Sequence, residues 1–166
     1  YLNLDGTPYN EFNEDGTYKQ FFEETKGRDY RMNQTLRAYD YVRTTPAGKA
    51  LTPANFQGHS LTGYQVTKFV MDDISYDDAA TNDNNTPLMR YAEVLLNYAE
   101  AKAELGTLTD ADWAQTVGAL RKRAGITGGT DETGTLTTRP TKAEPYIASY
   151  YAKITSDPVL LEVLRE

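Results

Sequence analysis

The sequence has no cysteine, so disulfide staples, thiolate zinc sites and a cysteine nucleophile are all excluded. It has one histidine, His59, which removes multi-histidine metal centres and any mechanism that needs two imidazoles. No apolar run reaches the roughly 18 residues a membrane-spanning helix needs. Positive charge is scarce too: 17 Lys and Arg stand against 24 Asp and Glu, a net charge of −7 over 166 residues. A chain so acidic lacks the basic face that replaces counterions on a phosphate backbone, and no nucleic-acid partner is expected. Large aliphatics are also few, with Leu, Ile, Val and Phe supplying 31 of the 166 residues. What takes their place is 13 Tyr and a high alanine content, so the expected core is aromatic and alanine-packed.

The two ends have their own character. The chain opens on Tyr1 with no initiator Met, cationic flank or cleavage signal. It closes inside a helix pattern, with Ser156 or Asp157 as cap, Pro158 in the first turn and Val159, Leu160, Val163 and Leu164 at helical spacing. Both ends read as cuts, and the expectation is a fragment of a larger protein.

Between them, residues 1–86 carry turn chemistry throughout, at Asp5-Gly6, Asp15-Gly16, Lys26-Gly27, Thr45-Pro46, Thr52-Pro53 and Asn84-Asn85. Tyr18 to Thr25 is expected to form two helical turns, and Tyr39 to Val42 and Tyr64 to Val70 to form short strands. From Thr86 the pattern changes. Thr86 is placed to cap a helix, Pro87 to open it and Gly106 to end it. Leu88, Tyr91, Ala92, Leu95, Tyr98, Ala99 and Lys102 fall on one stripe, broadened by Leu96 and Ala103, which predicts a helix sandwiched between neighbours. A second helix is capped by Thr109 with Asp112, carries Trp113, Val117, Leu120 and Ala124 on one face, and ends at Gly125. Arg121, Lys122 and Arg123 suit its dipole, and Gly118 is expected at a close helix crossing. The two helices read as an antiparallel hairpin, similar in size to a tetratricopeptide repeat. Residues 127–145 read as loop, and Pro145 to Ala152 as either helix or strand.

The stretch Arg90-Tyr91-Ala92-Glu93-Val94-Leu95-Leu96-Asn97-Tyr98-Ala99-Glu100-Ala101 resembles the signature helix of the SusD/RagB family of outer-membrane nutrient-binding lipoproteins. Weaker likenesses follow in family order: Gly27-Arg28-Asp29-Tyr30-Arg31 with Thr35, Gly63-Tyr64 with Lys68, Val117 to Ile126 ending Arg121-Lys122-Arg123-Ala124-Gly125-Ile126, and Ser156 to Glu166. The resemblance implies a mainly α, SusD-like helical fold with a tetratricopeptide-like hairpin, long irregular loops and a few short strands. Residues 1–86, 87–126 and 127–166 would be the loop-rich part, the hairpin, and a loop leading into a truncated helix, all of one incomplete domain. It further implies a lipid-anchored, non-catalytic protein on the cell surface that captures a glycan, or in some members a peptide. The resemblance also implies that the oligosaccharide would pass to a SusC-like TonB-dependent outer-membrane transporter.

Sugar capture needs flat rings for stacking, with amides, carboxylates or Arg for the hydroxyls, presented on loops. Tyr39 and Tyr41 alternate toward one face of an extended segment, and Asn55, Phe56 and His59 share the loop between Pro53 and Leu61. These five are the ligand candidates, and the competing reading makes them ordinary tyrosines and loop residues. No catalytic residue, cofactor or metal is expected. The acidic run Asp72, Asp73, Asp77, Asp78 and Asp83 lacks calcium-loop spacing. Glu23, Glu24 and Asp29 have nothing to select them as a glycosidase pair. A helical-repeat module that binds only protein is the alternative to the glycan reading.

Overall fold

The computed structural model describes residues 1–38, 40–52, 60, 62–78 and 80–166. Along the chain run α1 (Phe21–Glu24), α2 (Tyr30–Thr35), β1 (Val42–Thr45), β2 (Gly48–Leu51), a 3-10 turn (Ile74–Tyr76), α3 (Tyr91–Glu104), α4 (Asp110–Gln115), α5 (Val117–Arg123), α6 (Pro145–Tyr150) and α7 (Pro158–Arg165). The chain is helix-rich, and β1 and β2 form a two-stranded antiparallel sheet. It divides into two compact units. One holds residues 1–10, 27–29 and 89–166, the other 11–26 and 30–88. No helix among the described residues is long and apolar enough to cross a membrane.

In the first unit the core is Ala99 and Ala103 of α3, Leu108, Trp113, Val117, and Leu160 and Val163 of α7, with Leu96, Val159 and Leu164 packed against it. Alanines on α3 let α7 and α5 approach from one side. The expected sandwich is therefore not found: Tyr91 is 76% exposed and Tyr98 49%, while Leu95, Leu96, Ala99, Lys102 and Ala103 form the covered stripe. The helix also starts later than its signals predict. Arg90, not Thr86, is the cap residue, in an extended conformation, and Leu88 is fully exposed. A first turn built on Leu88 would bury nothing to offset the cost of ordering it.

The second predicted helix is two helices. Thr116, at φ −110° and ψ −95°, interrupts it, and its hydroxyl donates to the Asp112 carbonyl at 2.7 Å. The tetratricopeptide-like hairpin thus finds no support, since α3 lies chiefly on α7 and its supposed partner is broken. Gly118 is required for another reason than a helix crossing. A Cβ there would stand 1.9 Å from the Leu136 carbonyl oxygen, so a loop backbone lies against α5.

Local stop and start signals behave as chemistry demands. Thr109 and Asp112 form a reciprocal capping box, with Thr109 N–H donating to Asp112 at 2.9 Å and Asp112 N–H to the Thr109 hydroxyl at 3.2 Å. Gly106 and Gly125 follow α3 and α5 with φ of 65° and 84°. Asp157, not Ser156, caps α7 by accepting from Val159 N–H at 2.8 Å. Pro145 to Tyr150 resolves as a helix because the Glu144 carboxylate accepts the N–H groups of Tyr146 and Ile147, each at 3.0 Å.

Arg121 is not a solvated dipole partner. Its side chain is 1% exposed, and it reaches Glu162 at 2.7 Å, Glu166 at 2.6 Å and the Thr133 carbonyl. Arg165 extends the chain of charges, meeting both Glu162 and Glu144 at 2.8 Å. Burial pushes the Glu162 carboxyl up against the pull of Arg165 and Arg121. Burial also raises Glu144, but the Tyr146 and Ile147 N–H groups and Arg165 more than reverse it, leaving Glu144 below the usual range. Trp113, fully buried, donates its indole N–H to the Thr135 carbonyl at 2.8 Å.

In the second unit α1 is one turn rather than two. Phe12 and Tyr18 form a bridge, and Lys19 N–H donates to the Glu11 carbonyl at 2.8 Å, which holds residues 18–19 extended. Of the strand expected over Tyr39–Val42, Tyr39 lies outside the described residues, Asp40 and Tyr41 precede the strand, and β1 pairs with β2 from Val42↔Leu51 to Thr45↔Gly48. Tyr64 to Val70 forms no strand. Val66 alone bridges Leu36, and Phe69 at φ 68° turns the backbone out of the extended region.

Candidate functional site

Tyr41 ends up at the head of β1. Its N–H donates to the Ala38 carbonyl at 3.2 Å, and its carbonyl accepts from Thr52 N–H at 2.7 Å. That pairing carries the hairpin one step beyond its last ladder residue. Arg43, two residues on, anchors the strand from below. It is buried, makes a forked pair with Asp77 at 2.6 and 2.8 Å, and donates to the Met71 carbonyl at 2.8 Å. The hydrogen bond from Arg43 holds the Asp77 carboxyl below its ordinary range, and Asp77 in return raises the guanidinium.

The half-buried Tyr41 ring faces the Arg37 guanidinium at 5.5 Å. Arg37 is fixed by its own bonds: backbone N–H to the Gln65 carbonyl at 2.8 Å, Nη1 to Gln65 Oε1 at 2.8 Å, and Nε to the Thr52 carbonyl. Gln65 leads to Tyr64, whose hydroxyl donates to Glu24 Oε2 and whose ring meets Phe21 edge-on at 5.1 Å. Tyr64 is 42% exposed, and its carbonyl accepts from the Ser60 hydroxyl at 2.9 Å. Lys26 stands over the Phe22 ring at 4.7 Å. The result is a band from Tyr41 through Arg37, Gln65 and Tyr64 to Glu24. It joins two tyrosine rings to a guanidinium, an amide and a carboxylate.

Of the five residues chosen from sequence, Tyr41 alone is placed. Tyr39, Asn55, Phe56 and His59 lie outside the described residues. Thr52 and Ser60, which flank residues 53–59, bond to Tyr41 and Tyr64 respectively. Arg37, Gln65, Tyr64 and Glu24 were missed as site residues. The available signal was the Gly63-Tyr64 motif, which points to a turn and an aromatic but not to their partner 40 residues away.

Several of the other acidic residues have structural partners. Glu23 accepts from Gln20 N–H at 3.1 Å and caps α1. Asp29 is fully buried in the first unit, where Arg28 donates to the Tyr1 carbonyl at 2.6 Å and lies 3.9 Å from the Tyr9 ring. Asp73 caps the 3-10 turn through Ser75 N–H at 2.8 Å, and Asp78 accepts from Ala80 N–H at 2.8 Å. Among the described residues no group of three or more such side chains converges on a metal position.

A helix-rich frame with loops that bring aromatic rings beside amide, guanidinium and carboxylate groups has the features of a binding surface. The chain belongs to the SusD family, whose SusD_RagB model matches residues 1–166, its whole length. No curated protein and no solved structure matches it.

Proposed function

We propose that this protein is a non-catalytic nutrient-binding subunit of the outer-membrane surface that captures a glycan. It delivers the oligosaccharide to a SusC-like TonB-dependent transporter, and a lipid anchor holds it at the membrane. Residues 1–86, 87–126 and 127–166 would serve as parts of one SusD-like domain. The observation that carries this reading is the family match over all 166 residues. The Tyr41–Arg37–Gln65–Tyr64–Glu24 band is consistent with it, because pyranose C–H faces stack on aromatic rings while planar polar groups take the hydroxyls. Tyr39, Asn55, Phe56 and His59 complete the proposed contact set with Tyr41.

Calorimetry of the chain against a panel of oligosaccharides and peptides tests the reading. Saturable binding to a glycan is expected, weakened about tenfold or more in Tyr41→Ala and Tyr64→Ala, a loss of about 1.4 kcal/mol. Binding to peptides alone would make it a peptide-capturing member. No binding to either, with no co-purification of a TonB-dependent transporter, would overturn the reading.

A further inference from the structure

We propose that the Tyr41–Tyr64 band selects an anionic sugar, a uronate whose carboxylate is taken by Arg37. The inference rests on the glycan reading above and adds the substrate class. Arg43, Arg121, Arg139 and Arg165 each meet a carboxylate within 2.9 Å. Arg37 meets none. Its Nε and Nη1 go to neutral oxygens, the Thr52 carbonyl and Gln65 Oε1. Positions 39, 53–59, 61 and 79, which are not described, carry no acidic side chain either.

Those two bonds and the Tyr41 ring fix the plane of the guanidinium, while Nη2 donates to no described residue. A guanidinium held flat with its Nη2 hydrogens uncommitted among the described residues is preorganised for a carboxylate oxygen, because little rotamer freedom is lost when the anion arrives. The opposite end of the band is the Glu24 carboxylate, bonded to the Tyr64 hydroxyl, which suits sugar hydroxyls and repels a second anion. The band is therefore polar along its length. A uronic acid has the matching form: an apolar C–H face, a carboxylate at one edge and hydroxyls at the other. The net charge of −7 opposes an acidic polymer at long range, but salt screens it beyond about 8–10 Å, and contact with Arg37 is inside that distance.

The test is affinity electrophoresis of the chain through gels that contain polygalacturonate, alginate or hyaluronan, each beside its carboxyl-reduced form, together with neutral polysaccharides. At least one native uronate polymer is expected to retard the protein, with affinity falling tenfold or more on carboxyl reduction. Arg37→Gln should reproduce that loss on the native polymer and weaken binding to the reduced one far less, so that the preference for the native form disappears, and Arg37→Lys should restore part of it. Reduction alters only the ligand, so the result stands even where Arg37→Gln disturbs folding. Equal retardation by native and reduced polymers, or by neutral polysaccharides alone, overturns the anionic preference and leaves the glycan reading intact. No retardation by any polymer, acidic or neutral, removes the glycan reading and this inference with it.

Discussion

Two turns in this protein have nearly the same sequence and different circumstances. Asn3-Leu4-Asp5-Gly6-Thr7 and Asn13-Glu14-Asp15-Gly16-Thr17 repeat after ten residues and fold alike. In each, the Gly N–H donates to the Asn carbonyl, at 2.9 and 3.0 Å, and the Asn N–H to the Thr carbonyl, at 3.0 and 2.8 Å. The Asp carboxylate accepts the Thr N–H at 2.9 and 3.0 Å, and the glycines sit at φ 83° and 81°. The first turn, in the first unit, is docked. Gly6 lies against Gly128, its carbonyl accepts the Thr133 hydroxyl at 2.8 Å, and Leu2 beside it is 1% exposed. The second, in the second unit, has open space around Gly16, and Tyr18 beside it is 69% exposed. One short motif thus dictates the turn, and its surroundings dictate how much stability depends on it.

The largest effect should come from the cradle that receives the docked turn. Arg121 holds the Thr133 carbonyl and faces Glu162 and Glu166, so Arg121→Met strands buried carboxylates and should cost about 3–5 kcal/mol in denaturant unfolding. A loss below about 1 kcal/mol would show the charges to be solvated. Next, Gly6→Ala and Gly16→Ala separate the turns. Both pay the positive-φ strain of about 1–2 kcal/mol. Only Gly6→Ala also drives a Cβ to 2.5 Å from the Gly128 carbonyl oxygen, an overpacking that adds about 1–3 kcal/mol. Equal melting temperatures for the two variants would break the comparison.

A smaller loss, about 1–3 kcal/mol, is expected from Thr133→Val, which removes the buried hydroxyl donated to Gly6. Proteolysis of the native protein should then speed up near residues 3–7 and stay unchanged at 13–17.

The smallest effect is in pH. The Thr7 hydroxyl, then its N–H, holds the Asp5 carboxyl below the usual carboxylate range, and Thr17 does the same for Asp15. Groups with depressed folded pKa values stabilise the fold above the ordinary value of about 4, and that contribution disappears as pH falls through the depressed values. Carboxyl NMR titration should find both depressed to a similar degree, since the cause lies inside each turn. A shift confined to Asp5 would mean that docking, and not the turn, sets it.

How much of the fold could be read in advance follows the same division. Thr109 with Asp112, Gly106, Gly125, and Asp157 with Pro158 act over one helical turn, and all were legible. The α3 start was not, because Thr86 and Pro87 are good signals whose helix would have left Leu88 exposed on both sides of the accounting. The apolar stripe through Tyr91 and Tyr98 was misread for a related reason: periodicity reports which side chains are apolar, not which of them a neighbour covers. In the candidate site, Tyr41 was legible as an aromatic beside a loop. Arg37, Gln65, Tyr64 and Glu24 were not, since Arg37 reaches 28 residues to Gln65 and Tyr64 reaches 40 to Glu24.

By itself the sequence determined the family, the turns, the caps and the helix stops, because each depends on backbone conformations and hydrogen bonds within a few residues. Tertiary structure alone decided which of two like turns is buried, which face of α3 is covered, why Gly118 must lack a side chain and that the Arg37 guanidinium is held by neutral oxygens. Those outcomes depend on groups far apart in the chain, and local propensity carries no record of what will be packed against it.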